Sequence, residues 1–549
     1  MLKPNKISVV PAETSRVVHA AFPKGNLYLR IRDEFGALYR DEDFAKLFPD
    51  RGQPSLSPWR LAAVTVVQFL ENLSDRGAAD AVRARIDLKY LLGLELTDSG
   101  FDYSALSEFR GRLVQGDAEQ VLLDNVLTHL QTAGLVKARG MQRTDSTHVL
   151  ASIRVLNRLE LVGETLRAAL NELAQEAPEW LRGVAEPAWF ERYGRRVEDY
   201  RLPKGAEAKE KLGMQVAEDG FTLLAALARA APQQLTELDA VKTLRLVWQR
   251  HFVQEAEGEG GRGLRWTTNE ERFQSPVRLE SPYDPEAKFS QKASTKWVGY
   301  KVHLTETCDD SEVHLITDVL TTDAPKQDVS CTETVQQSLI TKNLTPGEHF
   351  VDAGYVDAGL LCSSTEKGIK LIGPPRHDKS WQGRTEGAFD QRAFTIDWPR
   401  QQVTCPNGKQ TSSWKQHTHR DGYPFIQVRF RRADCLSCPS KHKCTRSNRR
   451  MLNLHPKDQY EALNSARNVF ATAEGERAYA RRSGIEGTLS QGIRLCGLRT
   501  TRYRGLAKTS LQHVATAVGI NLSRVFDWLE GKPRASTRIS HFAALAIGS

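Results

Sequence analysis

The sequence predicts an α/β protein: a mixed sheet flanked by helices, with an all-helical region before it, a helical insertion within it and a small cysteine-rich insertion. Three observations carry this. Before residue 140 apolar residues recur at helical spacing between capping residues. From Gly140, and again from Trp297 to Ile372, short β-branched runs alternate with helical stretches. Between residues 376 and 454 four cysteines stand among many cations. The expected divisions are 1–139, helical; 140–157 with 281–375 and 455–530, the α/β core; 158–280, a helical insertion and linker; 376–454, the cysteine-rich insertion; and 531–549, a tail.

Composition narrows the class. A chain of 549 residues exceeds one ordinary core. Hydrophobic content of 40% with 26% charged residues is that of a globular protein. No apolar run approaches the ~18 residues that span a bilayer; the best, Leu223 to Ala231, is interrupted by Arg229. The start lacks a signal-peptide core, and eight cysteines in this length argue against a secreted disulfide scaffold. A cytoplasmic protein is expected, and a net charge of +9 is compatible with a polyanionic partner.

In chain order, Ser57-Pro58 opens a helix to Leu70, with proline at its first position. Helical patterns also cover Ala78 to Leu92, Ser104 to Arg112 and Ala118 to Gln131, the last with Asp117 and Gln120 spaced as a capping box. Such a domain suits DNA binding or dimerisation. Gly140 to Ile153 alternates as a strand with Arg143, Asp145, Thr147 and Val149 on one face. An Asp inside a strand calls for a reason, a local cap or a function. The 158–280 block is helical and ends in a glycine-rich linker, Glu257 to Gly263. Trp297–Thr307 and Glu312–Leu320 read as a hairpin across Asp309-Asp310-Ser311. Pro325 opens a helix to Leu339, the strand His349–Asp352 follows, then a helix from Ala358 and a strand at Ile369–Ile372.

Cys405, Cys435, Cys438 and Cys444 predict a zinc-ribbon-like module. The two-residue gap in Cys435-x-x-Cys438 lets both thiolates reach one ion, with Cys405 and Cys444 completing a tetrahedral set for structural Zn²⁺. His417, His419 and His442 are alternative ligands, and four ordinary thiols are the alternative reading.

The stretch Tyr479 to Lys508 organises the rest. As a helix, Tyr479, Arg482 and Glu486 share one face, and the cations Arg494, Arg499, Arg502, Arg504 and Lys508 follow with no acid among them. Taken alone this is a solvated Arg–Glu pair. Taken with Asp145 and Asp352, Glu486 makes a third separated carboxylate, as needed by phosphodiester chemistry on two Mg²⁺ (or Mn²⁺) ions about 3.5–4 Å apart. Asp318, Asp357 and Glu474 are decoys, Asp357 standing at a helix start.

These motifs resemble the DDE transposases of bacterial insertion sequences, in the group with a Tyr-(2)-Arg-(3)-Glu-(6)-Lys signature. Tyr479, Arg482 and Glu486 match its first three positions; the fourth falls on Ile493, with Arg494 one residue later. Thr144-Asp145-Ser146-Thr147 is similar to the first-Asp motif and Val351-Asp352-Ala353-Gly354-Tyr355 to the second. The resemblance implies an RNase H-like core, metal ligation by Asp145, Asp352 and Glu486, and phosphate contacts from Tyr479, Arg482 and Arg494. It implies double-stranded DNA, element ends and target, as partner, and a homodimer or larger assembly on paired ends. A nuclease that cuts without joining, and a non-catalytic DNA-binding derivative, are the rival readings.

Overall fold

The computed structural model describes residues 1–4, 7, 9–254, 263–310, 313–376 and 380–533. Most of the glycine-rich linker, Ser311 and Glu312 of the expected hairpin, and the tail from residue 534 lie outside the described residues.

The N-terminal region is helical, as its periodicity requires. Helix α1 (Pro58–Leu70) has the expected start. The helix expected over Ala78 to Leu92 is two, Asp75–Ala84 and Ile86–Leu92, broken at Arg85. That guanidinium lies between Glu71 and Asp87, 2.5 and 2.8 Å from their oxygens, and fixes the chain in an extended conformation there. Helix α2 (Val121–Thr132) begins later than predicted, because Asp117 adopts φ +47° in a turn and does not cap.

Strand β1 (Met141–Leu150) is the middle of the main sheet. It leads into the helical insertion, where α3 (Arg158–Glu176), α4 (Ala206–Ala230) and α5 (Asp239–His251) close a separate apolar core around Leu166, Trp189 and Trp248. The chain returns as β2 (Thr295–Thr307), antiparallel to β1, with Arg143 opposite Glu306. Gly299 permits this pairing: at φ +150°, a Cβ there would fall 2.2 Å from the Val149 carbonyl oxygen. Strand β3 (Ile316–Asp323) pairs antiparallel with β2. It starts later than the predicted Glu312, since Thr307 Oγ1 bonds Val313 O and Leu315 N and holds the entry out of the ladder.

After a 3₁₀ turn at Asp328–Cys331, where a helix from Pro325 was expected, α6 spans Thr332–Thr341. Strand β4 (Glu348–Phe350), helix α7 (Ala358–Glu366) and strand β5 (Lys370–Ile372) follow. Both strands are parallel to β1, giving the order β3-β2-β1-β4-β5, with a short strand Lys288–Lys292 against the start of β2. In the cysteine-rich stretch β6 (Thr411–Thr418), β7 (Pro424–Phe430) and β8 (Met451–Leu454) form an antiparallel sheet over a small core of Phe394, Val428 and Leu454.

Two helices complete the fold. In α8 (Gly484–Cys496) Ile485, Thr488, Leu489, Gly492 and Cys496 point inward at helical spacing, and Gly497 ends it in the left-handed conformation. Helix α9 (Leu506–Leu529) is buried continuously from Leu511 to Leu522. It packs on β3, α1 and α2, so Trp59, Leu123, Val319 and Val518 belong to one apolar core. Two of its polar residues fasten it to β3: Asn521 pairs with both backbone groups of Ile316, and His513 Nδ1 lies 2.8 Å from Thr321 Oγ1. Among the described residues no helix is long and apolar enough to cross a membrane.

Candidate active site

Parallel pairing sets Arg143 beside Phe350, so Asp145, midway along β1, and Asp352, just past the end of β4, each stand two residues farther on along neighbouring strands. Asp352 caps the turn that follows, its Oδ1 accepting the Gly354 N–H at 2.7 Å. Asp145 Oδ1 accepts from Ser146 N at 2.7 Å. Burial pushes the Asp145 carboxyl above its ordinary 3.8 and the charge of Asp352 adds to this, while the Ser146 N–H and Arg482 oppose it.

The third acid arrives on α8. The predicted single helix from Tyr479 is instead a helix ending at Tyr479, a 3₁₀ turn Ala480–Ser483 and α8. The Arg482–Glu486 relation survives the break. Arg482 donates to Asp145 Oδ2 at 2.9 Å and to Glu486 Oε1 at 3.2 Å, so one guanidinium joins the first and third acids. Glu486 is largely exposed, with 65% of its side chain accessible, whereas Asp145 retains 13%. Burial alone would lower the Arg482 pKa, and Asp145, helped by Tyr479 and Asp352, more than reverses it. Tyr479 packs edge-on against Phe470, and its hydroxyl donates to Val351 O at 3.1 Å, directly before Asp352. Burial raises its phenol.

A buried ion network that no sequence motif announced holds this arrangement. Glu306, on β2, has no exposed surface. It accepts from Arg143 Nε at 2.7 Å, Arg524 Nη1 at 2.8 Å and Thr488 Oγ1 at 2.5 Å. Arg143 then donates to the Arg481 carbonyl at 2.5 Å, one residue before Arg482. Its guanidinium also lies against Gly484, where a Cβ would come within 2.1 Å of Nη1. Thus β1, β2, α8 and α9 are tied together beneath Arg482. The signal in the sequence was an acid inside a strand, a residue type seldom buried unless paired.

The remaining predicted residues are dispersed around this centre. Arg499 is exposed, and its Nε donates to Thr147 Oγ1 at 2.9 Å. Arg494 and Lys508 are exposed on α8 and α9, and Arg504 lies over the Tyr283 ring. Arg502 turns inward: it stacks on Phe69, donates to Leu73 O at 2.5 Å and binds Asn72, all beside α1. Of the decoys, Asp357 caps α7 through Leu360 N at 2.8 Å, Asp318 is paired with Lys342 at 2.7 Å, and Glu474 is exposed. In the cysteine-rich sheet, burial pushes the Cys444 thiol up to about 11, and the nearby Cys435, Cys405 and Cys438 thiols act in the same direction. Asn407 Nδ2, Lys409 N and Arg450 N donate to Cys438, Cys405 and Cys435 Sγ respectively at 3.0 to 3.4 Å. Among the described residues, no three His, Cys, Asp or Glu side chains are arranged closely enough to hold an ion.

Residues 404–526 match the family described as Transposase DDE domain, and residues 16–112 match the Transposase domain DUF772. Both matches are transposase domains, and they support a DDE-type insertion-sequence transposase. No curated protein matches it. In this transposase the first span contains the four clustered cysteines, Glu486 and most of α9, and the second covers α1 and its neighbours. Asp145 and Asp352 lie before the first span and after the second, so their association with Glu486 rests on the geometry described above.

Proposed function

We propose that this transposase cuts DNA at the ends of its insertion sequence and joins those ends to a target, with Asp145, Asp352 and Glu486 as the acids of the cutting centre. The observation that carries this reading is the single Arg482 guanidinium bonded to both Asp145 and Glu486, with Asp352 on the neighbouring strand end. The strand order β3-β2-β1-β4-β5, antiparallel on one side of β1 and parallel on the other, supports an RNase H-like core for it.

The donor set fits divalent cations. It consists of carboxylate oxygens, which suit Mg²⁺ and Mn²⁺. Burial and the charge of Asp352 disfavour the ionised form of Asp145, a penalty that a bound cation would relieve. Bound there, a Mg²⁺ pair would activate the attacking oxygen and stabilise the leaving one. The chain's own part is positioning. Arg482 has the planar fork that binds two phosphate oxygens at once, and the donors now engaged by carboxylates serve a phosphate equally well. Tyr479 lines the same side. The network under Gly484 fixes the approach of α8, which sets how far Glu486 stands from the two aspartates. Arg494, Arg499, Arg504 and Lys508 form the outer DNA contact. Arg502 contributes by anchoring that segment to the N-terminal helices.

The chemistry of the four cysteines supports structural Zn²⁺ once their thiolates draw together on the ion: they influence one another and already accept N–H bonds of the kind that support thiolate ligands. We assign one zinc ion to them, and a pair of protomers to paired element ends. The test uses the full chain, Mg²⁺ and a duplex carrying the element's terminal sequence. Nicking and strand transfer, both abolished by Asp145→Asn, Asp352→Asn and Glu486→Gln with end binding retained, are expected. Cleavage without joining makes the protein a nuclease, and nicking by any of the three variants removes that residue from the centre.

A further inference from the structure

Beside Asp145 lies an open cleft of about 540 Å³, to which Arg499 alone of the expected DNA-binding residues contributes. Its floor begins at Ser146 and Gly354, whose N–H groups bond Asp145 and Asp352. Lys292, Lys301, Arg376 and Arg499 line it, against a single acid, Asp328. That acid is already paired with Lys301 at 2.9 Å. Among the described residues Lys292, Arg376 and Arg499 form no ion pair, and all three are exposed. An aromatic pair completes the wall: His148 and Trp297, with ring centroids 5.5 Å apart. Trp297 is fixed by its Nε1 bond to Tyr300 O at 3.1 Å, and the half-buried His148 ring sits beside it, tilted by 40°.

We propose that this cleft receives a short unpaired stretch of the DNA strand leaving the cutting centre, with phosphates on Lys292, Arg376 and Arg499 and a base stacked against His148. This rests on the reading of Asp145, Asp352 and Glu486 as that centre. Three features select single-stranded nucleic acid. Cations not satisfied by protein carboxylates are matched to a chain of phosphates. An aromatic face accepts any base, because every base has a π-face. The volume is that of a small-ligand site (~300–1,000 Å³), too small for a duplex whose major groove alone is about 12 Å wide. The direct continuity of the floor with both aspartates makes the occupant the strand adjoining the cut.

The test measures binding by fluorescence anisotropy in chelator, with no metal, so that cutting does not enter. The probes are a labelled oligothymidylate of about ten nucleotides carrying one 2-aminopurine, and a blunt duplex of about twenty base pairs; the first is within the site sizes of single-strand-binding proteins. Lys292→Ala with Arg376→Ala, both surface changes, is expected to weaken the oligothymidylate by about tenfold or more. It should also flatten the salt slope by about 1.4, the loss of two phosphate contacts on a single strand. Duplex affinity should stay within about twofold. His148→Ala should remove the stacking-dependent quenching of 2-aminopurine. Unchanged oligothymidylate affinity and slope in the double variant overturn the proposal. So does an equal loss for the duplex, which would make the residues part of a general basic surface. Absence of Mg²⁺-dependent nicking by the wild type would instead sink the reading of the centre, while the metal-free affinities decide separately whether the cleft holds a single strand.

Discussion

Glu306→Gln tests the idea that a buried charge network beneath Arg482 sets the geometry of the cutting centre. The wild-type carboxylate meets four donor atoms: Arg143 Nε and Nη2, Arg524 Nη1 and Thr488 Oγ1, at 2.5 to 2.8 Å. Glutamine keeps the shape but offers one acceptor oxygen, turns an NH₂ toward guanidinium donors, and leaves two cations with 6% and 18% side-chain exposure without their shared anion. Removing one partner of a buried ion pair costs about 3–5 kcal/mol. We expect a value near the lower end, about 3 kcal/mol, since one oxygen remains. The pH dependence has a definite sign. Burial pushes the Glu306 carboxyl up, and Arg524 and Arg143 more than reverse this, leaving it below 4.5. Its contribution is therefore present above 4.5 and is lost as pH falls through the folded value; the variant should lack that acid-side loss. Urea unfolding followed by tryptophan fluorescence reads the stability, and Mg²⁺-dependent nicking below the unfolding midpoint reads the geometry. Because Arg143 fixes the Arg481 carbonyl and Gly484, nicking should fall at least about tenfold in molecules that remain folded, the effect of about 1.4 kcal/mol on the barrier. Stability within about 1 kcal/mol of wild type together with unchanged nicking would refute the reasoning.

Four further outcomes are expected. Asp145→Asn should abolish nicking without lowering stability: the folded pKa is raised, so ionising Asp145 destabilises the fold, and the variant's gain should grow as pH rises from below 3.8, checked by melting curves across pH. Arg482→Lys keeps the charge but loses the fork that spans Asp145 and Glu486; losing charge-assisted bonds worth about 1.5–3 kcal/mol should cut nicking about 10- to 100-fold while duplex binding changes little, measured side by side. Purified protein should carry about one zinc per chain by elemental analysis, and Cys435→Ser with Cys438→Ser should release it and open residues 376–454 to protease; unaltered zinc content would assign the metal elsewhere. Duplex affinity should fall about 10³- to 10⁵-fold between 50 and 200 mM salt if six to ten phosphates are contacted, and a flat response would exclude a basic DNA track.

Local chemistry was legible where it is spelled in neighbouring residues. Ser57-Pro58, the alternation around Asp145, and the Asp357 cap all appear where short-range rules put them. The i,i+4 relation of Arg482 and Glu486 was legible too, although the helix breaks between Tyr479 and Gly484. Long-range partners were not. Arg502 reads as one more cation of a basic strip, and only the packing of α1 shows that it stacks on Phe69. Glu306 and Arg143 lie 163 residues apart, and no local pattern links them. The break at Arg85 and the late start of β3 likewise come from side chains reaching across the fold, Arg85 to Glu71 and Thr307 to Leu315. The cleft walls combine β1, β2, the Lys288–Lys292 strand and the segment after β5, so it has no sequence signature.

Helix α9 ties the order of synthesis to the order of folding. The helices before residue 140 and the sheet that follows both close on a rod encoded near residue 520, so neither can bury its whole apolar face until that segment has been made. A product stopped before Leu506 would strand two unsealed surfaces at once, and activity should appear only once α9 has been synthesised.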